Sequence, residues 1–169
     1  HLSVVEGAER LSKLDHYNDL AIKAYGRKID PYVITRALAA FERTLVSFDS
    51  RYDQFVQGDS SVLNEEEILG MNLFFSDEVD CKSCHSAPLF TNFKFENIGI
   101  ETPKDLGRMR ITADSNDRWK FKVPTLRNIE LTAPYFHDGS VQTLLDAISY
   151  FNSRSINGKD SLKLTKKEI

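Results

Sequence analysis

Two cysteines and a histidine lie close together in the run Cys81-Lys82-Ser83-Cys84-His85. This is the C-x-x-C-H pattern of c-type haem attachment. Two thiols about one helical turn apart can each bond a vinyl group, while the adjacent imidazole reaches the iron from one face. The motif therefore predicts one covalently bound haem c, attached through Cys81 and Cys84, with His85 as the proximal iron ligand.

Two other uses of the cysteines fit the sequence less well. A thioredoxin-like C-x-x-C follows a strand and opens a helix, whereas a helical pattern precedes Cys81 and Pro88 follows closely. A structural zinc ion would need two further ligands from His1, His16 and His137, and none of these has the usual paired spacing. Two cysteines this close together also cannot staple a small secreted fold. Haem is the favoured chemistry.

Composition limits the class of protein. The chain has 169 residues, 41% of them hydrophobic, which predicts a single domain over residues 1–169. A net charge of -3, without an isolated basic cluster, argues against binding to nucleic acid. The apolar runs are much shorter than the roughly 20 residues of a membrane span. No leader opens the sequence, but bacterial c-type haem is attached outside the cytoplasm, so we expect a periplasmic protein whose leader has been removed.

The elements that position the motif are predicted to be helices. Three helix starts are indicated by a capping side chain followed by apolar residues at helical spacing. They lie at Asp30-Pro31, at Asn64 with Glu67, and at Thr143 with Asp146. The first helix is expected to run to about Val46, and the second to run directly into the cysteine motif. The third has an apolar stripe that must face something apolar, formed by Leu144, Ala147, Ile148 and Phe151.

The remaining segments are predicted to be mostly loop. Glycines and prolines interrupt the stretch from Asn92 to Thr132, and only Trp119 to Val123 alternates as a strand does. The tail from Asn157 is polar and stops where a further helix would begin, so the chain is expected to be truncated at this end. The predicted fold class is mainly α, a helical domain with long loops and a short β-hairpin.

Two long blocks follow the haem motif, Phe121 to Asn128 (FKVPTLRN) and Leu131 to Gly139 (LTAPYFHDG). With the motif, they resemble the bacterial di-haem cytochrome c peroxidase family, which includes the MauG-type oxidases. The resemblance extends from about His16 to Phe151. Its other matches are Ala39 to Leu45, Asp53, Gly58-Asp59, Gly70, Leu73 to Phe75, Leu106-Gly107-Arg108 and Thr112.

Family members have two haem domains, and the order of these blocks is similar to that of the C-terminal one, which has a cytochrome c-like fold. In the family, hydrogen peroxide is reduced at the N-terminal haem, while the C-terminal haem accepts electrons from a small cytochrome c or copper protein. The resemblance therefore implies the electron-accepting half of a periplasmic cytochrome c peroxidase. Its partners would be the absent N-terminal haem domain, the donor and, in a homodimer, a second copy.

The distal face of the haem departs from the family pattern. In the family, the second axial ligand is a methionine in the peroxidases and a tyrosine in the MauG-type proteins. Counted from Thr132, the corresponding position here is Phe151, which cannot ligate iron. Three alternatives remain, ranked in this order: an open iron beneath Phe151, ligation by Tyr150, or a methionine from elsewhere, Met71 or Met109. Tyr150 ranks second because it points away from the apolar stripe of its helix.

Other residues have predicted supporting roles. Arg108 and Arg127 can bind haem propionates, since a guanidinium matches a carboxylate, or each can form an ordinary salt bridge. The resemblance implies a calcium ion between the two haem domains, bound in part by the backbone carbonyls of Thr132 and Pro134. It also makes His137 a structural group near the haem rather than an iron ligand. Trp119 is interpreted as a packing residue and His16 as a surface residue.

Two competing functions stay open. A MauG-like oxidase would act on a protein side chain, and ligation of the iron by Tyr150 would favour it. A free-standing mono-haem electron carrier would fit the single motif, but it leaves the two long downstream blocks unexplained.

Overall fold

A computed structural model gives the structure of the chain for residues 3–156, 161–166 and 168–169. His1, considered above as a zinc ligand, and part of the polar tail lie outside the described residues. The chain forms two compact units, one ending at Phe48 and the other beginning at Asp49. The single domain over residues 1–169 was predicted from length and composition and stays a prediction, and no glycine or proline marks the junction between residues 43 and 50. The haem motif lies in the second unit.

The first unit is helical. It contains α1 (Val4–Leu11), α2 (Asp15–Tyr25) and α3 (Pro31–Glu42), and α1 packs against α3. As predicted, the Asp30 side chain caps α3 by accepting the backbone N–H of Val33, and Pro31 fills the first helical position. The buried side chains of this unit are those of Ala8, Ala21 and Val33.

Helix α3 ends four residues before the predicted Val46. The backbone N–H of Thr44 donates to the Phe41 carbonyl at 2.8 Å, and its hydroxyl donates to the same oxygen at 2.7 Å. Threonine competes with the helical ladder in this way and disfavours its continuation. The apolar residues continue at helical spacing to Leu45, so the length predicted for this helix from their spacing was too great.

The second unit contains the remaining elements. They are α4 (Arg51–Val56), α5 (Glu65–Phe75), a 3-10 turn (Cys81–Ser83), β1 (Phe95–Glu96), α6 (Met109–Thr112), a 3-10 turn (Ser115–Asp117), β2 (Phe121–Lys122), a 3-10 turn (Ile129–Leu131) and α7 (Leu144–Ser153). The predicted caps are confirmed: Asn64 Oδ1 accepts the Glu67 N–H at 2.9 Å, and Thr143 Oγ1 accepts the Asp146 N–H at 3.1 Å.

The described β structure is one antiparallel pair. Strand β1 pairs with β2 in the register Phe95 with Lys122 and Glu96 with Phe121. The two strands are joined by the long segment that carries α6, so they are not a tight hairpin, but the predicted strand around Trp119 to Val123 exists in part. The mainly helical fold class with long loops and a small antiparallel pair is confirmed.

The core of the second unit is shallow. Its buried residues are Val79, Val123 and Tyr135, together with Asp53 and Thr91. None of the described residues has a side chain less than 2% exposed. Ile148, on the apolar stripe of α7, is 39% exposed, and Leu69 on α5 is 44% exposed. The unit thus leaves apolar side chains uncovered. No described helix has the length and apolarity to cross a bilayer.

Candidate functional site

The motif residues lie on one turn of backbone that begins at Cys81. The prediction that the preceding helix runs directly into the motif was wrong, because α5 ends at Phe75, where Ser76 adopts an extended backbone. The Val79 N–H donates to Ser76 Oγ at 3.2 Å at the end of this helix, and the 3-10 turn then begins at Cys81. The N–H groups of Cys84 and His85 both donate to the Cys81 carbonyl, at 3.3 and 2.9 Å. Both thiols are half-buried and neither is in a disulfide. Cys81, Cys84 and His85 therefore lie on one turn, and haem attachment at this turn stays a prediction.

The His85 ring is held in one tautomer. Its Nδ1 lies 2.9 Å from the carbonyl oxygen of Phe90. A carbonyl only accepts, so Nδ1 must carry the proton, and the lone pair remains on Nε2. An imidazole arranged in this way is a metal ligand whose orientation and basicity are set by its second hydrogen bond. No role was predicted for Phe90 from the sequence. Every residue has a backbone carbonyl, and residue type does not show which of them accepts from His85.

Arg127 is engaged within the protein. Its Nη1 and Nη2 each lie 2.7 Å from one oxygen of Asp53, and the two side chains are only 9% and 10% exposed. Its Nε donates to the Pro88 carbonyl at 2.8 Å. Hydrogen bonds from Arg127 and Ser50 hold the pKa of Asp53 well below its usual range. This geometry supports the salt-bridge alternative for Arg127 over contact with a propionate.

Arg108 is placed differently. Its Nε lies 3.0 Å from Asp117 Oδ2, its guanidinium covers the Phe95 ring at 4.5 Å, and its side chain is 41% exposed. It lines a cleft of about 490 Å³ whose walls combine apolar and cationic side chains. The lining residues are Phe95, Ile111, Phe121, Gly107, Arg108, Arg110, Lys120, Lys122 and one carboxylate, Asp105. Such a cleft suits a ligand with an apolar body and carboxylate groups. This is consistent with Arg108 as a propionate partner, which stays a prediction.

The residues considered for the distal face lie at the end of α7. The Tyr150 hydroxyl donates to the Ile98 carbonyl at 2.9 Å, and the Tyr150 ring contacts Phe136 with centroids 4.9 Å apart. Phe151 contacts the same ring at 6.0 Å. Tyr150 is half-buried, although it lies off the apolar stripe of its helix, and ligation of iron would require its hydrogen bond to break.

The two methionines gain no support as ligands from their surroundings. Met71 is half-buried on α5 and Met109 is half-buried at the start of α6. The identity of the sixth ligand stays a prediction, with the open iron beneath Phe151 first.

His137 presents a buried polar atom that the protein does not satisfy. Its ring stacks on Phe121 with centroids 3.7 Å apart, and its Nε2 is buried with no hydrogen-bond partner in the described part of the chain. Buried polar atoms without partners are rare in folded proteins. His137 Nε2 therefore needs a partner that the described residues do not supply, such as a water molecule or a bound group, and the structural role predicted for this histidine stays a prediction.

The predicted calcium site and the tryptophan are located as follows. Thr132 and Pro134 are exposed, and Thr132 Oγ1 donates to the Ile129 carbonyl at 3.0 Å. Among the described residues, no group of three or more His, Cys, Asp or Glu side chains is arranged to hold a metal ion. Calcium at the two backbone carbonyls stays a prediction. The Trp119 indole is half-buried and donates to the Thr102 carbonyl at 2.9 Å, which supports a packing role.

The residues present fit a c-type haem. The donors are two thiols and an imidazole on one turn, with Nε2 of His85 left for a metal. The shallow core leaves apolar side chains for the faces of a macrocycle, and the unpaired Nε2 of His137 calls for a further polar partner. A zinc site or a dithiol redox motif would explain only the cysteines.

Comparisons with known proteins show the family of the chain. A family described as di-haem cytochrome c peroxidase matches residues 3–61. Cytochrome c551 peroxidase of Nitrosomonas europaea is 38% identical over 162 residues, which cover 92% of this chain and 48% of that protein. The methylamine utilization protein MauG of Methylophilus methylotrophus is 36% identical over 154 residues, covering 87% of this chain and 45% of that protein.

A solved structure shows the same fold. The crystal structure of a MauG-like protein associated with microbial copper homeostasis matches with a TM-score of 0.73 and 29% identity, covering 97% of this chain and 57% of that one. The chain spans about half the length of the curated relatives that it matches. On these matches, together with the motif, the chain belongs to the di-haem cytochrome c peroxidase and MauG family.

Proposed function

We propose that the second unit is the electron-accepting c-type haem domain of a periplasmic di-haem cytochrome c peroxidase. The observation that carries this proposal is the geometry of His85: its Nδ1 proton is held by the Phe90 carbonyl at 2.9 Å, and two unoxidised thiols lie on the same turn. When bound, the haem supplies a one-electron redox centre.

The chain's own residues would attach and orient this group. The thiols of Cys81 and Cys84 would each add across one vinyl group, with the sulfur bonding to one carbon and the hydrogen to the other, so no oxidant would be needed. His85 Nε2 would ligate the iron, and Arg108 would bind a propionate at the edge of the cleft that it lines. Thr132 and Pro134 would offer carbonyl oxygens to calcium where the absent half of the protein supplies the other ligands.

The complete reaction needs more than this chain. In the proposal, electrons arrive from a small cytochrome c or copper protein and pass to the N-terminal haem domain, where hydrogen peroxide is reduced. The relatives named as peroxidases, twice as long as the matched region, support this division. We further propose that the full protein forms a homodimer.

The first experiment tests attachment. The chain is produced in the periplasm of a host with a cytochrome c maturation system, and the intact mass is measured under denaturing conditions. We expect the mass of one haem on the native chain and none on the Cys81→Ala/Cys84→Ala variant. A native chain of unmodified mass, from a host that matures a reference cytochrome, would contradict the proposal.

A second experiment tests the division of labour. Peroxide consumption with a reduced donor is measured for this chain and for the chain extended upstream by its natural N-terminal sequence. We expect turnover only for the extended protein. Robust turnover by this chain alone would exclude the electron-accepting role and favour peroxide chemistry at its own haem.

A MauG-like oxidase is the second candidate, because a relative of that name is 36% identical to the chain. It depends on the iron ligand, since an anionic oxygen ligand lowers the haem potential while methionine raises it. The Tyr150 hydroxyl, which donates to the Ile98 carbonyl, would have to be released to act as that ligand. The peroxidase domain is therefore preferred.

A further inference from the structure

Three consecutive backbone carbonyls after the motif each accept a hydrogen bond from a side chain. The Pro88 carbonyl accepts from Arg127 Nε at 2.8 Å, the Leu89 carbonyl from Thr125 Oγ1, and the Phe90 carbonyl lies 2.9 Å from His85 Nδ1. Two of the three donors belong to the segment that follows β2, and the third is the predicted iron ligand. The Phe90 carbonyl, which accepts from His85 Nδ1, is thus held in place by the hydrogen bonds to the two preceding carbonyls, those of Pro88 and Leu89.

This loop is anchored to a buried ion pair. The guanidinium of Arg127 binds both oxygens of Asp53 at 2.7 Å, and Asp53 also accepts from the backbone and hydroxyl of Ser50 at 3.0 and 2.7 Å. Asp53 therefore holds Arg127 to the first turn of α4, where it forms a capping box with Ser50. A bidentate pair orients a guanidinium more tightly than a single contact does.

The Phe90 backbone needs such support. Its φ is +53°, in the left-handed region that costs free energy for a residue with a side chain. Its ring lies 5.5 Å from the Arg127 guanidinium and 5.1 Å from the Tyr52 ring, and Phe74 and Phe75 complete the cluster at 6.0 and 6.3 Å. The ring and the two preceding carbonyls together keep the Phe90 carbonyl directed at His85.

We propose that Asp53, Arg127 and Thr125 are positioning residues that act through the Pro88 to Phe90 carbonyls to hold the hydrogen bond from His85 Nδ1, and that they thereby set the reduction potential of the iron on Nε2. The inference rests on the proposed haem attachment. A strong hydrogen bond from Nδ1 makes Nε2 a more basic ligand and stabilises ferric over ferrous iron. Loosening the loop weakens this bond and raises the potential.

The test measures the reduction potential of the haem in variants of Arg127 and Thr125, called the clamp variants, and in a matched control. Arg127→Lys keeps the charge but loses the bidentate contact and the Nε donor. Thr125→Val keeps the guanidinium but removes the donor to Leu89 and the acceptor of the Arg127 backbone N–H. Arg51 is the control, because it also pairs with a capping-box carboxylate, Glu67, and donates from Nε to a carbonyl, that of Val62, away from the loop.

We expect Arg127→Lys to reduce the preference for ferric iron about tenfold, the lower end of typical effects of outer-shell partners. A tenfold change is about 59 mV for a one-electron couple, towards a more positive potential. Thr125→Val should shift the potential in the same direction by less, and Arg51→Lys should leave it unchanged. Exchange of the His85 Nδ1 proton in D₂O, followed by NMR, should become faster in the two clamp variants only.

Two outcomes would overturn the proposal: an unchanged potential and proton exchange in clamp variants that carry a full complement of haem, or an equal shift in Arg51→Lys. If Arg127→Lys does not fold, Thr125→Val decides. The intact mass separates this test from that of the proposed function. If the native chain carries no haem, the tautomer of His85 is measured by ¹⁵N NMR in the haem-free protein, where a larger Nε2–H population in Thr125→Val supports the clamp and an unchanged one refutes it.

Discussion

The Asp53–Arg127 pair should dominate the stability of the second unit. Asp53→Asn keeps the shape of the side chain but leaves the Arg127 cation without a countercharge, and both side chains are at least nine-tenths buried. Removing one partner of a buried ion pair costs about 3–5 kcal/mol. For a unit of this size, that corresponds to a decrease in Tm of about 10–20 °C.

The matched control is the exposed pair of Arg51 and Glu67, whose side chains are 57% and 35% exposed. Glu67→Gln alters a capping-box carboxylate bound by an arginine, as Asp53→Asn does, but in contact with water. Exposed pairs contribute up to about 1 kcal/mol. The two variants therefore differ mainly in burial, and Asp53→Asn should cost about three times as much as Glu67→Gln or more.

Denaturant unfolding followed by tryptophan emission measures the difference. Trp119 is the only tryptophan and lies in the second unit, so its emission reports that unit and not the first. Haem content is matched between samples by absorbance, because a bound group stabilises the folded state by mass action. A loss of less than 1 kcal/mol for Asp53→Asn, or equal losses for the two variants, would refute the dominant role of the buried pair.

The effect should also depend on pH. The pKa of Asp53 in the folded chain lies below its ordinary value because of the hydrogen bonds from Arg127 and Ser50. A lowered pKa gives a stabilising contribution that is complete above about pH 4, the unfolded value, and is lost as the pH falls towards the folded value. The native chain and Asp53→Asn should therefore converge in stability below about pH 4. A constant difference across this range would mean that the carboxylate charge is not the source.

Three further predictions concern single contacts. Tyr150→Phe should leave the electron paramagnetic resonance spectrum of the ferric protein unchanged and cost about 1 kcal/mol, because the hydroxyl donates to Ile98; an altered spectrum would make Tyr150 an iron ligand. Gly107→Ala should lower the Tm, since Gly107 has φ +60° and a Cβ would lie 2.6 Å from the Lys120 carbonyl oxygen; an unchanged Tm would contradict this geometry. His137→Phe should not destabilise the haem-free chain, because it removes an unpaired buried nitrogen, but it should lower the Tm of the chain that carries its covalent haem; a marked loss of Tm in the haem-free chain would show that Nε2 is already satisfied by the protein.

Local signals were read correctly from the sequence. The caps at Asp30, Asn64 and Thr143 depend on residues three positions apart, and each forms the predicted hydrogen bond. The same signal was present, and not used, at Ser3 with Glu6 and at Ser50 with Asp53, where capping boxes open α1 and α4. Those helices could therefore have been predicted from the chain alone.

Contacts between distant segments could not be read in this way. Asp53 and Arg127 are 74 residues apart, and no spacing rule links an aspartate in one block to an arginine in another. The left-handed backbone of Phe90 gives no sequence signal either, since the residues that adopt it most readily are glycine, asparagine and aspartate. The motif thus predicts His85 as the iron ligand, but it does not indicate which group accepts the hydrogen bond from the other ring nitrogen of His85.

Arg108 and Arg127 were each predicted either to bind a haem propionate or to form a salt bridge, and residue type does not distinguish the two roles. Their burial does. A propionate that approached Arg127 would share the guanidinium with Asp53, placing two carboxylates together in a region shielded from water, where like charges repel strongly. Arg108 is 41% exposed, its Nε lies 3.0 Å from Asp117 Oδ2, and its cleft is lined by Arg110, Lys120 and Lys122 together with one carboxylate, Asp105. The added negative charge is compensated there. We therefore expect a propionate at Arg108 rather than at Arg127, whose Nε donates to the Pro88 carbonyl in the loop behind His85.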